Sequence, residues 1–183
     1  MRVITGSARG RKLTAPEGME TRPTGEKVKE AVFSSVQFLL EDAHVLDLYA
    51  GSGQMGIEAL SRGAGSAVFV DNSKAAQDAI NENIRSCGFG DRAKLKPMDA
   101  LVYLSGAAER FDIAFLDPPY AAEQLPLVLP LVGKLMKEGG VVLCETAKRV
   151  DLPEEAGGLR LEKEYRYGRT KVLRYRFGGE AEL

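Results

Sequence analysis

The sequence predicts an α/β fold: a doubly wound, mainly parallel sheet with an antiparallel C-terminal hairpin and a small N-terminal β-hairpin extension. Three observations carry this. Short β-rich apolar runs alternate with helical stretches through the middle of the chain, the pattern of a parallel sheet covered on both faces. A glycine-rich turn follows the first run, at Gly51, Gly53 and Gly56. Near the end, runs 159–167 and 170–177 are separated only by Gly168-Arg169, hairpin spacing. The 183 residues, 44% hydrophobic and 28% charged, suit one soluble domain, divided here into an N-terminal segment 1–40 and a main domain 41–183.

In order, runs 2–5 and 11–14 around residues 7–10 form the N-terminal hairpin, and a helix over 26–39 carries Val28, Val32, Phe33 and Val36 as its apolar stripe. The first strand covers 45–49 and leads through the glycine turn into a helix over 55–62, capped by Gly63. The second covers 67–71; Ser73 caps the next helix, which carries Ala76, Ile80 and Ile84 on one face and stops near Gly88. The third, 93–96, leads to Asp99 and a helix through Leu104. The fourth, 112–116, runs into Asp117-Pro118-Pro119-Tyr120, and a helix over 123–137 closes on Gly139-Gly140 before a fifth strand at 141–145.

Composition excludes several chemistries. His44 is the only histidine, so a catalytic triad and a histidine-built metal centre are ruled out, and His44 is expected to be structural. Cys87 and Cys144 are too few and too isolated for a disulfide framework or a zinc site. No metal is expected. No run approaches the ~20 apolar residues of a membrane span, and 1–13 lacks the apolar stretch of a leader, so a cytoplasmic protein, most simply a monomer, is expected. The net charge is −1 but unevenly spread: Arg2, Arg9, Arg11 and Lys12 meet no acid within 1–12, and seven cations face Glu162 and Glu164 within 160–176.

The glycine turn matches G-x-G-x-x-G, which lets backbone approach a nucleotide-type ligand at a helix N-terminus. Asp71, about 20 residues on, ends the second strand, where a carboxylate accepts ribose hydroxyls, and Asp99 follows the third, where one receives an adenine amino group. Asp47 separates two ligand classes. Its carboxylate suits the methionine ammonium of S-adenosylmethionine and would repel a dinucleotide pyrophosphate. Tyr167 and Lys171 form a Y-x-x-x-K pair, as in short-chain dehydrogenases, but across a hairpin turn rather than on a helix, and are read as coincidence.

In Asp117-Pro118-Pro119-Tyr120 the prolines fix an extended loop. Asp117 and the Pro118 carbonyl then offer two acceptors to one NH₂ group, pulling an exocyclic base nitrogen toward a tetrahedral shape with its lone pair free for an electrophilic methyl. Tyr120 supplies a stacking face for a base taken out of its stack. Whether Asp117 also removes the proton stays open.

With the glycine turn followed by D-P-P-Y, the chain resembles S-adenosylmethionine-dependent amino-methyltransferases of Rossmann-like, class I fold. The blocks 1–6, 9–13, 22–24, 28–33, 47–53, 56–64 and 117–120 together are similar to the bacterial 16S ribosomal RNA guanine-N2 methyltransferases. The resemblance implies methyl transfer to the 2-amino group of one guanine in small-subunit ribosomal RNA, in assembled particles. It places Asp47, Gly51 and Gly53 at the methionine end, Asp71 at the ribose and Asp99 at the adenine, with Tyr49, Ser52, Asn72 and Ala100 beside them. Asp117 and Tyr120, with Pro118 and Pro119, fall at the target guanine. Gln54-Met55 stands where such enzymes often carry small residues. Arg2, Arg9, Arg11, Lys12 and Arg22 are the cations expected to grip phosphates. The rivals are a DNA adenine-N6 methyltransferase, which needs a target-recognition domain that 183 residues do not accommodate, and a non-catalytic RNA-binding module of ribosome assembly.

Overall fold

A computed structural model describes residues 1–18 and 25–178. Strands β1 (His44–Leu48), β2 (Ser66–Val70), β3 (Ala93–Lys96), β4 (Phe111–Leu116) and β5 (Met136–Ala147) alternate with helices α2 (Gln54–Ser61), α3 (Lys74–Cys87), α4 (Ala100–Gly106) and α5 (Ala121–Gly133); α1 (Glu26–Ser35) precedes them. Strands β6 (Glu155–Ala156), β7 (Leu159–Tyr167) and β8 (Thr170–Phe177) follow. The sheet runs β3-β2-β1-β4-β5-β8-β7-β6. Neighbouring pairs are parallel as far as β5, and β8, β7 and β6 join antiparallel.

Side chains alternate across the strands into two cores. Val45, Ile113 and Phe115 face α1–α3, while Leu46, Leu48, Ala114 and Leu116 face α4 and α5. Strand order reverses at β1, which pairs with both β2 and β4. At such a switch point the loops leaving the carboxyl ends of two neighbouring strands diverge and open a crevice. Here those loops are the glycine turn and the diproline segment.

Boundaries agree closely with the sequence expectation, with four differences. The N-terminal hairpin is shortened to one antiparallel bridge, Arg2 with Lys12, flanked by Val3–Arg11 and Leu13–Met1 amide–carbonyl bonds (2.9 and 3.0 Å), because the amides of Ile4, Ser7 and Ala8 that would extend it turn to α2. The Ile4 amide donates to Glu58 Oε1 (2.8 Å), the Ser7 amide to the Ser61 carbonyl (2.8 Å) and the Ala8 amide to Ser61 Oγ (3.0 Å). The helix expected over 26–39 ends at Ser35 and tightens to a 3₁₀ turn at Gln37–Leu39. Gly139 and Gly140 lie inside β5 rather than capping α5: the β4–β5 register jumps between Phe111 and Ile113, and Gly139, at φ 77, takes up the excess chain. Strand β6, two residues long, is below the length at which alternation is readable. His44 is structural, as expected. Its ring stacks on Phe111 at 4.6 Å, and Nδ1 lies 2.5 Å from Ser66 Oγ.

Charge is buried under the N-terminal segment. Lys29 and Glu58, 1% and 0% exposed, pair at 3.4 Å, and Lys29 Nζ also donates to the Arg2 carbonyl at 3.0 Å. Desolvation lowers the Lys29 pKa despite Glu58. Removing one member of such a pair costs about 3–5 kcal/mol, because it strands the other.

Candidate active site

The glycine turn is built by exchange between adjacent loops. Tyr49 takes φ 62, a left-handed conformation that a side chain adopts at a cost and that clusters at functional sites. The Gly51 amide donates to Asp71 Oδ2 and the Ser73 amide to Asp71 Oδ1, both at 2.9 Å, so one carboxylate ties the loop after β1 to the loop after β2. Gly51, at φ 59, has open space where a Cβ would stand. Gly56 has none, since a Cβ would come within 2.3 Å of the Phe69 ring. The first glycine thus leaves room on the crevice side, and the last lets α2 press on β2.

Asp47 is buried at the end of β1, and its Oδ2 accepts the Gly56 amide at 2.9 Å. Burial, with smaller contributions from Asp117 and Asp71 against the relief of the Gly56 amide, pushes it up to about 8. Asp99 caps α4, accepting the amides of Leu101 (2.8 Å) and Val102 (3.3 Å) through Oδ1. Ala100 is buried behind it, while Asn72 is exposed. Ser52 is covered: its hydroxyl meets Met1 Sδ at 3.3 Å, and its carbonyl accepts Asn83 Nδ2 at 2.8 Å. Asn83 also holds Thr14 through amide and carbonyl at 2.8 and 2.9 Å, so the N-terminal segment is pinned to the glycine turn.

At the diproline end the arrangement differs. Pro118 is buried, whereas Asp117 and Tyr120 face solvent, Tyr120 being 68% exposed. The Tyr120 carbonyl caps α5 by accepting the amides of Glu123 and Gln124 (3.1 and 2.9 Å), which fixes the backbone and leaves the ring outside. Asp117 accepts no hydrogen bond among the described residues. Water reaches it from one side and protein surrounds it on the others; the lost hydration, then the Glu145 charge, push it up to about 7.

The structure therefore gathers Asp47, Tyr49, Gly51, Asp71, Asp99 and Asp117 around one crevice. Asp117, Pro118, Pro119 and Tyr120 open into a cleft of about 980 Å³ whose other walls are the start of α1, residues 145–147 and 149–150, and the β7–β8 turn. None of Arg2, Arg9, Arg11 and Lys12 lines that cleft. Arg2 pairs with Glu26 at 2.9 Å, Arg9, Arg11 and Lys12 are exposed on the N-terminal segment, and Arg22 lies outside the described residues. Sequence reasoning missed Glu145, Arg149 and Arg169 as cleft residues and set Tyr167 aside, although it lines the same wall. The signal available was the hairpin itself, whose turn falls on the same end of the sheet as the diproline loop.

The residues fit a cationic nucleoside. Asp117 and Asp71 both raise the proton affinity of the buried Asp47, and no ion pair offsets any of the three among the described residues. A ligand carrying positive charge relieves that repulsion; a pyrophosphate adds to it.

The family model described as conserved hypothetical protein 95 matches residues 1–176. YlbH of Bacillus subtilis strain 168, provisionally named an rRNA methyltransferase, is 39% identical over 184 residues, which cover 98% of this chain and 100% of that protein. Ribosomal RNA small subunit methyltransferase D of Escherichia coli strain K12 is 30% identical over 185 residues, covering 100% of this chain and 92% of that one. Among solved structures, YhhF of Escherichia coli, provisionally named a methyltransferase, aligns with a TM-score of 0.88 at 28% identity over 98% of this chain and 99% of that chain.

Proposed function

The chain belongs to the conserved hypothetical protein 95 family, and on that premise we propose that it is an S-adenosylmethionine-dependent ribosomal RNA methyltransferase acting on the exocyclic N2 of a guanine in the small-subunit RNA, in assembled particles. The observation that carries this reading is the pairing of an exposed aromatic ring, Tyr120, with an acceptor left unengaged among the described residues, Asp117, directly across the switch point from the glycine turn. The names of relatives that span the chain almost end to end support the ribosomal RNA substrate.

In this reading Asp47 and the Gly51–Gly53 backbone hold the methionine end, with Tyr49 and Ser52 shaping the turn. Asp71 accepts ribose hydroxyls on lone pairs its two amide bonds leave free, and Asn72, Asp99 and Ala100 border the adenine. When bound, S-adenosylmethionine supplies a methyl carbon already activated by its sulfonium, so the protein's share is positioning and desolvation. Asp117 Oδ and the Pro118 carbonyl take the two N–H bonds of the target amine and aim its lone pair into the crevice, and Tyr120 stacks on the flipped base. The nitrogen then has one proton too many, and Asp117, its affinity raised near neutrality, is suited to take it and return it to water. Arg9, Arg11 and Lys12 supply phosphate contacts outside the crevice.

The test is methyl transfer to 16S RNA and to small-subunit particles from cells lacking the enzyme, read by mass spectrometry of the nucleosides. N2-methylguanine is expected. Methyl on adenine N6 would instead favour an adenine enzyme, and restoration of particle assembly with no transfer would favour a non-catalytic assembly module.

A further inference from the structure

Resting on that reading, we infer that the wall of the cleft opposite Tyr120 is a second RNA contact: Arg149 and Arg169 hold phosphates of the single strand flanking the flipped guanine, and Tyr167 stacks on a neighbouring base. Size is the first reason. About 980 Å³ lies at the upper end of what encloses a whole drug-sized ligand, so a single base leaves much of the cleft open for the strand that carries it.

Charge pairing is the second reason. Along the C-terminal strands cations are neutralised in place: Arg160 by Glu155 (3.3 Å), Arg174 and Arg176 by Glu162 (3.3 and 2.5 Å), Arg166 and Lys171 by Glu164 (3.5 and 3.3 Å). Lys163 lies over the Tyr165 ring. Arg149 and Arg169, the two cations that line the cleft among the described residues, are exposed and have no ion pair there. The hairpin thus spends its acids everywhere except where it meets the cleft.

The two arginines are also held as a unit. The Lys148 amide donates to the Arg169 carbonyl at 3.0 Å, and Ala147 is in register with Thr170, so the loop after β5 and the β7–β8 turn form one rim. The cleft's acids, Asp117, Glu123 and Glu145, lie on the diproline loop, the start of α5 and β5. Acceptors surround the place of the base amine, and cations stand at the outer wall. Half-buried Tyr167 offers that wall a ring, and stacking plus a cationic track is how single strands are held without groove readout.

The experiment compares wild type with the R149Q/R169Q double variant, and with R160Q, which alters a neutralised cation of the same hairpin. Substrate is 16S RNA from cells lacking the enzyme. For the double variant, KM for RNA is expected to rise about tenfold with kcat and the cofactor KM unchanged. The slope of log affinity against log salt should become shallower by about 1.4, the value for two phosphate contacts on a single strand. R160Q should match wild type. Wild-type KM and salt slope in the double variant, or an equal loss in R160Q, would overturn the proposal. Failure of wild type to methylate RNA would instead overturn the functional reading, and this contact with it.

Discussion

The two ends of the crevice hold their carboxylates in opposite ways. At the glycine-turn end Asp47, Asp71 and Asp99 each accept one or two backbone amides, so the groups that would meet the cofactor also tie loops and cap helices. At the diproline end Asp117 accepts none among the described residues, and Tyr120 is fixed only through its backbone. The first end is prebuilt and its acids serve the fold; the second keeps its acid and its ring free of fold contacts, where the proposed function places the target base. Binding and stability are therefore coupled at one end and separable at the other.

The sharpest test of that separation is Asp117→Ala. With no hydrogen bond to lose among the described residues, it should leave the melting temperature within what surface substitutions show, about 0.5 kcal/mol. Methyl transfer should fall by roughly 10²–10³, the cost of deleting one preorganised polar contact at a reacting centre. S-adenosylhomocysteine affinity should change little. A melting temperature lowered along with activity would make Asp117 a fold residue and erase the difference between the two ends.

Asp71→Ala is the converse, with a smaller effect spread over two readouts. It strands the Gly51 and Ser73 amides, a cost of about 1–3 kcal/mol if they stay buried and unpaired, and removes the acceptor that the proposed function gives to the ribose. Thermal unfolding and S-adenosylhomocysteine titration should both register the change. Lost affinity without lost stability would show that the two amides find water instead.

This asymmetry also sets what was legible beforehand. The five parallel strands and the hairpin could be read because alternation, glycine caps and the Gly168 turn are local signals; Ser73 indeed caps α3, and Gly88 ends it in the left-handed conformation. The acids after the strands could be read as one rim, because strand ends share a rim whatever their partners. That the amides of Ile4 and Ala8 bond to Glu58 and Ser61 rather than across their own hairpin depends on contacts more than fifty residues apart, which no local pattern reports. The cleft wall at Arg149 and Arg169 lies between these cases: the hairpin turn at Gly168 is a local signal, but its place beside Asp117 follows only from the pairing of β8 with β5.

The subtlest expected difference between the ends is a count of protons. Asp47, pushed to about 8 by burial, still carries its proton at pH 7 in the free protein, whereas an unfolded chain, with the ordinary value of 3.8, has lost it. The folded state thus binds more protons, and the contribution of this group to stability falls as pH rises from about 4 to about 8, then levels off. A ligand whose ammonium group sits beside Asp47 favours the charged carboxylate and lowers that affinity, so protons must leave on binding. Titrating S-adenosylhomocysteine calorimetrically in buffers of different ionisation enthalpy should therefore show release of up to about one proton at pH 7, vanishing above about pH 9, where Asp47 is already ionised. Because Asp71→Ala leaves Asp47 in place, it should weaken binding yet keep the release. Proton uptake, or no exchange at any pH between 6 and 9, would separate Asp47 from the ligand's ammonium and leave it a purely structural acid.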